Sequence, residues 1–387
     1  MLDRTDARAA VWVDPARSDL DAFHREVERA TDMTLCPNAD EIASGIPIYR
    51  GARIEGMEPR AIMAEMARVL GEGAGVFAVR GAIRDIAMLD AVTDVLLDLI
   101  AREATAGGGA GDHFAAGGAN ARLWNAHEKL CLAAPELFAR YAAAPAIALA
   151  SEAWLGPMYQ VTAQVNLVRP GGRAQTAHRD YHLGFQGARM LARFPRHAHR
   201  MSAMLTLQGA VAHSDMPIRS GPTKLLPHSQ TFADGYSAFG REDFQRYFEA
   251  NCVQVPLAKG DMVFFSPALF HAAGDNDTAD HERFANLLQI GSGMGRMMEA
   301  LDRAAMCRAV LPVLRDRGMD ADATERAIAA TADGYPFPTD LDRDPPSGGN
   351  APESQADLVR RAVREGWSDE RFAAALNEHA AKRTPRA

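Results

Sequence analysis

Six short runs in the middle of the chain concentrate apolar and β-prone residues between Gly, Pro and Asp turns: YQVTAQVNLV (159–168), AMLTLQGAVA (203–212), TKLLP (223–227), VQVPL (253–257), MVFFS (262–266) and FANLLQI (284–290). About six strands of this length, flanked by helices, predict a sandwich or jelly roll. Outside them the period lengthens. Ile62, Met63, Met66, Val69 and Leu70 fall at three- and four-residue steps and predict a helix from Glu58 to Gly71. GVFAVRG (75–81) then reads as a strand, and 84–103, 127–153, 297–316, 322–332 and 355–381 read as helices. Residues 1–56 lack a clear period and read as an irregular lead-in with short helices. TAGGGAGDHFAAGGAN (105–120) reads as a mobile loop and DRDPPSGGNAPES (342–354) as a linker. The expected organisation is α+β: residues 1–291 carry a helical lead-in and the β-rich domain, and residues 292–387 a helical C-terminal extension.

Charge and cysteine usage narrow the partners. Lys plus Arg is 42 and Asp plus Glu is 50, a net charge of −8, so bulk attraction to polyanions is excluded and no nucleic-acid partner is expected. Hydrophobic residues at 47% supply a sizeable core. Cys36, Cys131, Cys252 and Cys307 lie far apart without a C-x-x-C pair, which predicts reduced thiols rather than a disulfide framework. MLDRTDARAAVWVD carries charges where a signal peptide needs an apolar run. The longest uncharged stretch, 153–168, contains Pro157, Gln160, Gln164 and Asn166 and is too short and polar to span a bilayer. The expectation is a cytoplasmic protein with a small-molecule substrate and no membrane partner; a homo-oligomer is compatible with it.

The chemistry-bearing residues begin with TAHRDYHLGF (176–185). On a strand, His178 and Asp180 share a face, and an imidazole beside a carboxylate suits a divalent first-row metal that takes a third ligand from elsewhere. The plain alternative is a buried histidine hydrogen-bonded to a nearby acid. His182 continues the same alternation, as a competing ligand or a substrate contact. KGDMVFFSPALFHAAG (259–274) adds His271 at the end of a buried-type strand, and Arg283 opens the next run, where it can face the same pocket. Gly291–Gly295 lacks a surrounding βαβ unit, Gly107–Gly111 lacks the ending of a phosphate loop, and no G-x-S-x-G occurs.

In this order (strand, H-x-D, G-D-x-x-x-F, His, Arg) the chain resembles the phytanoyl-CoA dioxygenase family of iron(II)- and 2-oxoglutarate-dependent oxygenases. NLVRPGGRAQTAHRD, SGPTKLLPHSQ and GDMVFFSPALFHAAGDN carry the likeness, between about residue 75 and residue 291. The resemblance implies a double-stranded β-helix, or jelly roll. It implies His178, Asp180 and His271 as the facial triad on Fe(II), with three metal positions open for 2-oxoglutarate and O2. It implies Arg283 as the partner of the distal carboxylate of 2-oxoglutarate, where a planar fork outperforms Lys. Oxidation of a substrate C–H bond with release of succinate and CO2 would follow, and a carboxylate at position 180 favours hydroxylation, desaturation or ring closure over chlorination.

Two positions depart from the family pattern. Pro227-His228-Ser229-Gln230 stands where P-G-S-H is common, and Ala273 stands where a hydroxyl often serves the co-substrate. Gln164 and Asn166 on the preceding strand are candidates for that missing contact. The rival class is a non-redox metal-binding jelly roll, either a ligand-binding pseudo-enzyme or a cupin-like isomerase or hydrolase, which has no need of Arg283. For the substrate, QGARMLARFPRHAHR (186–200) holds Arg189, Arg193, Arg196 and Arg200 and no acid. Arg193 and Arg200 are the expected contacts to an anionic group, although Pro195 interrupts the helical spacing.

Overall fold

Four of the six central runs supply strands of one large sheet. The computed structural model describes residues 11–105, 120–316, 318–346 and 348–384. Its strands are β1 Glu41–Ala43, β2 Ile46–Arg50, β3 Val76–Arg80, β4 Asn120–Leu123, β5 Gln160–Val168, β6 Thr206–Ala212, β7 Lys224–Leu226, β8 Met262–Phe265, β9 Phe270–Ala272 and β10 Arg283–Gly291. Eight of them form a sheet in the order β1-β2-β3-β8-β6-β10-β5-β4, antiparallel except where β2 meets β3. β7 pairs with β9, and isolated bridges from Leu225 to Val253 and from His178 to His271 widen this small sheet on both sides. The two sheets enclose an inner core of Val76, Ala210, Val263 and Phe265 from the large sheet and Leu225, Val255 and Leu269 from the opposite side. That is a jelly roll, in an α+β chain.

The other face of the large sheet is covered by helices. Leu123, Val161, Leu207, Phe264 and Leu288 alternate with the inward residues and pack into a single cluster with Met66, Leu96, Phe138, Val310, Leu358 and Phe372. The helices of the C-terminal third thus share one core with those that precede the β-rich segment. Phe264 is fully buried, with its ring 5.5 Å from that of Phe77. Phe264→Ala is expected to cost about 3–5 kcal/mol, read as a lowered urea midpoint. No helix among the described residues is long and apolar enough to cross a membrane.

Several elements fall where the periodicity places them, and others differ for identifiable reasons. The first predicted helix is Pro59–Gly71, with Glu58 accepting from Arg60 and Ala61 and Pro59 in the first turn. The expected helix 127–153 is three, Ala126–Ala133, Pro135–Ala142 and Pro145–Leu155, because each proline starts a new helix rather than continuing the old one. Residues 1–56 contain a hairpin, β1 and β2, turned by Ser44 and Gly45 at φ 51° and 78°. VQVPL makes only bridges at Val253 and Leu257, and AMLTLQGAVA is helical to Met204 before β6 begins. The C-terminal helix 355–381 divides at Gly366, which takes the left-handed conformation at φ 61°. The Gly-rich loop lies outside the described residues over 106–119.

Candidate active site

Segment 175–180 runs antiparallel to the chain around β9. His178 and His271 exchange both backbone hydrogen bonds, at 3.0 and 3.2 Å, and Asp180 N–H donates to Pro267 O at 3.0 Å. The expected H-x-D strand is therefore an extended segment with one bridge. That bridge sets the two imidazoles side by side, with ring centroids 4.4 Å apart. Each imidazole donates its Nδ1–H to the main-chain carbonyl two residues earlier, His178 to Thr176 at 2.9 Å and His271 to Leu269 at 2.8 Å. A carbonyl only accepts, so Nδ1 carries a proton in each ring, and a neutral ring then presents its lone pair at Nε2. The two Nε2 atoms converge on Asp180: His178 Nε2 lies 3.6 Å from Oδ1 and His271 Nε2 3.5 Å from Oδ2. One ligand atom from each of the three residues falls within 4.8 Å of the others. Two imidazole nitrogens and one carboxylate oxygen fit a divalent iron with open positions, and the backbone-anchored Nδ1–H groups are the usual second partners of metal-bound histidines.

Electrostatics agree with that donor set. Burial pushes the Asp180 carboxyl up, but hydrogen bonds and charge from the two histidines hold it well below the ordinary range. Burial, helped by the neighbouring His178, lowers His271. Burial also opposes protonation of His178, but the Asp180 hydrogen bond overrides it and raises that imidazole.

The triad opens on a cavity of about 600 Å³ between the two sheets. Its floor is the inward-facing half of the large sheet: Arg122 on β4, Gln164 and Asn166 on β5, Gln208 on β6, Phe265 on β8, and Arg283, Leu287 and Gln289 on β10. Arg283 is 6% exposed and, among the described residues, has no carboxylate within ion-pair distance. Its Nη1 donates to the carbonyls of Ser220 and Gly274 at 3.2 and 3.4 Å. Burial lowers it to about 10, so it stays cationic at neutral pH. A buried guanidinium facing a cavity has the charge and the fork geometry that suit a carboxylate. Gln164 accepts from Arg122 at 3.0 Å and donates to the sulfur of Met298 at 3.2 Å, while Asn166 keeps a buried Oδ1 with no partner among the described residues. Ala273 lines the cavity without a hydroxyl; Thr176 and Thr223 are the hydroxyl side chains of the lining. His228, where the family pattern has Gly, sits at φ 68°, the conformation that favours glycine.

Other expected contacts go elsewhere. Tyr181 and His182 take positive φ, 65° and 46°, so the chain turns immediately after Asp180 and the H-x-D-x-H alternation ends there. His182 Nε2 bonds Arg296 O at 3.1 Å, and its side chain is not part of the cavity lining. Arg193 and Arg200 are exposed and outside the lining, because a short helix ends at Leu191 and Pro195 starts another, Arg196–Met204, on the exterior. Arg196 pairs with Asp234. Sequence reasoning missed Gln208, whose Nε2 donates to Asp180 Oδ2 at 2.6 Å, as well as Tyr181, Gln289, Arg122 and Trp124. A lone Gln among the inward positions of TLQGAVA was the available signal for the first of these.

A family model described as phytanoyl-CoA dioxygenase matches residues 71–285, more than half of the chain. Among solved structures, the chain is similar to the non-heme alpha-ketoglutarate-dependent epimerase SnoN of nogalamycin biosynthesis, at 21% identity and TM-score 0.43, over 60% of this chain and 82% of that one. It is also similar to the non-heme alpha-ketoglutarate-dependent carbocyclase SnoK of the same biosynthesis, at 17% identity and TM-score 0.46, over 62% of this chain and 86% of that one. Among curated proteins no match is found.

Proposed function

The chain belongs to the phytanoyl-CoA dioxygenase family, whose enzymes work with iron(II) and 2-oxoglutarate, and from that premise we propose that it hydroxylates a C–H bond of a small organic substrate with release of succinate and CO2. One observation carries the reading: the His178, Asp180 and His271 donor atoms converge on the same cavity that holds the uncompensated cation of Arg283. His178, Asp180 and His271 would hold the iron, which when bound supplies the oxygen-activating redox chemistry. Thr176 O and Leu269 O keep both imidazoles in the tautomer a metal needs.

Arg283 would take the distal carboxylate of 2-oxoglutarate, and Asn166 and Gln164 are the proposed amide contacts, each through its NH2, because the co-substrate only accepts; the Gln164 amide is already engaged by Arg122 and Met298. Trp124, Phe185 and Met298 give the remaining space an apolar wall, and the cavity volume suits a small molecule. The β-domain 1–291 would carry the whole of this chemistry, with the extension 292–387 closing one side through Met298.

The test is a succinate-release screen with iron(II), ascorbate and 2-oxoglutarate across substrate classes, with products weighed by mass. A gain of one oxygen atom is expected. An isomeric product, or loss of two hydrogens, would replace hydroxylation within the same co-substrate chemistry. Turnover with zinc or manganese that needs no 2-oxoglutarate would overturn the reading in favour of a cupin-like isomerase or hydrolase.

A further inference from the structure

One side chain serves both the metal site and the open cavity. Gln208 is 3% exposed, on β6, opposite Phe265 of β8 and Gln289 of β10. Its Nε2 donates to Asp180 Oδ2 at 2.6 Å and to Gln289 Oε1 at 3.3 Å. Both partners are acceptors, so the amide has one workable orientation, with NH2 toward Asp180 and the carbonyl turned away. The Tyr181 hydroxyl donates to the same Gln289 oxygen and braces the pair. What remains is Gln208 Oε1, a buried acceptor with no partner among the described residues, in a residue that lines the cavity. Asn166 Oδ1 on β5 is in the same position.

A buried acceptor left without a donor is costly, and cavities of this kind are completed by what they bind. 2-Oxoglutarate at neutral pH is a dianion that only accepts, and dioxygen donates nothing. Apart from water, the substrate is then the molecule in the proposed reaction that can bring the donor. We propose that Gln208 couples the metal site to the substrate: Nε2 holds Asp180 in one orientation, leaving Oδ1 for the metal, while Oε1 accepts a hydrogen bond from a substrate hydroxyl or amine. The substrate class is then an alcohol or amine with its donor close to the reacting carbon. This rests on the function proposed above and adds the polarity of its substrate. Sites built around a substrate donor reject analogues that lack it far more strongly than apolar pockets reject a change of size.

The experiment has two arms on the intact protein. In the first, wild type and Gln208→Met, which keeps the length and removes both polar atoms, are titrated anaerobically with iron(II) in the presence of 2-oxoglutarate. The expected result is an iron dissociation constant raised about 10- to 100-fold in the variant at an unchanged thermal midpoint. Should the methionine variant not fold, Gln208→Asn, one methylene too short to reach Asp180, gives the same reading. Absence of iron–co-substrate binding in wild type would overturn the proposed function and this inference with it. Binding in wild type that is unaltered in the variants would overturn this inference alone.

In the second arm, small alcohols and amines are each paired with their O-methyl or N,N-dimethyl counterparts, and substrate-triggered succinate is measured. Wild type is expected to favour the donor-bearing member by roughly tenfold or more, and Gln208→Met at saturating iron to lose that preference. Equal stimulation by both members of each pair in wild type means that water serves Oε1, and the proposal falls.

Discussion

Asp180→Ala is expected to abolish succinate formation, by at least about a thousandfold, while the protein stays folded. Asp180 is the one carboxylate between the two imidazoles, and Gln208 Nε2 at 2.6 Å holds it in place. Losing a charged metal ligand removes several kcal/mol, and about 4 kcal/mol is a thousandfold in affinity. The fold should survive because the triad lies on a cavity wall rather than in the helix-facing core, and because the backbone bridge between His178 and His271 does not use the Asp180 side chain. His178→Ala and His271→Ala are expected to behave alike. Succinate assays at raised iron, with circular dichroism as the folding control, check all three. Turnover retained by Asp180→Ala and lost in His182→Ala would move the ligand set, although His182 is turned toward Arg296.

Arg283 gives the second large effect, and it has opposite signs for activity and stability. Removing a buried charge-assisted contact to the distal carboxylate should cost about 2–4 kcal/mol, raising the KM for 2-oxoglutarate roughly thirty- to a thousandfold with iron affinity little changed. The ligand-free protein should respond the other way. Arg283 is buried without a counter-ion among the described residues, and burial lowers it to about 10. Near-isosteric Arg283→Met removes that uncompensated charge, so its ligand-free thermal midpoint is expected to match or exceed that of wild type. Wild type should gain stability when iron and 2-oxoglutarate are added, and the variant should gain much less. An unchanged KM would reassign the co-substrate site, and a destabilised ligand-free variant would mean that Arg283 is held by the protein alone.

The residues legible in the sequence were those whose chemistry is rare and whose spacing is local. His178 and Asp180 lie two apart, and His271 and Arg283 bracket one turn between strands, so one extended segment and two strand ends suffice to gather them. The strands β5, β8 and β10 announced themselves as apolar, β-prone runs between Gly, Pro and Asp turns. Gln208 did not, because its importance comes from two other segments, the one carrying Asp180 and Tyr181 and the strand carrying Gln289, that only the fold brings together. The turn at Tyr181–His182 was hidden because neither residue is a glycine, yet both take positive φ. That single turn removes His182 from the series. The basic run 186–200 misled for a related reason: charge pattern identifies a surface, and only the position of the following helix decides whether that surface faces the cavity. β1 and β2 were masked by short length, their one signal being Ser44-Gly45.

The central claim is that one site binds iron and 2-oxoglutarate together, through His178, Asp180, His271 and Arg283. Anaerobic titration of the metal-free protein with iron(II), with and without 2-oxoglutarate, tests it most directly through the weak visible charge-transfer band of the chelate. The account predicts a band that saturates at one iron per chain, requires 2-oxoglutarate, disappears in His271→Ala and needs far more 2-oxoglutarate in Arg283→Ala. A band that persists in His271→Ala, or iron binding indifferent to 2-oxoglutarate, would contradict it.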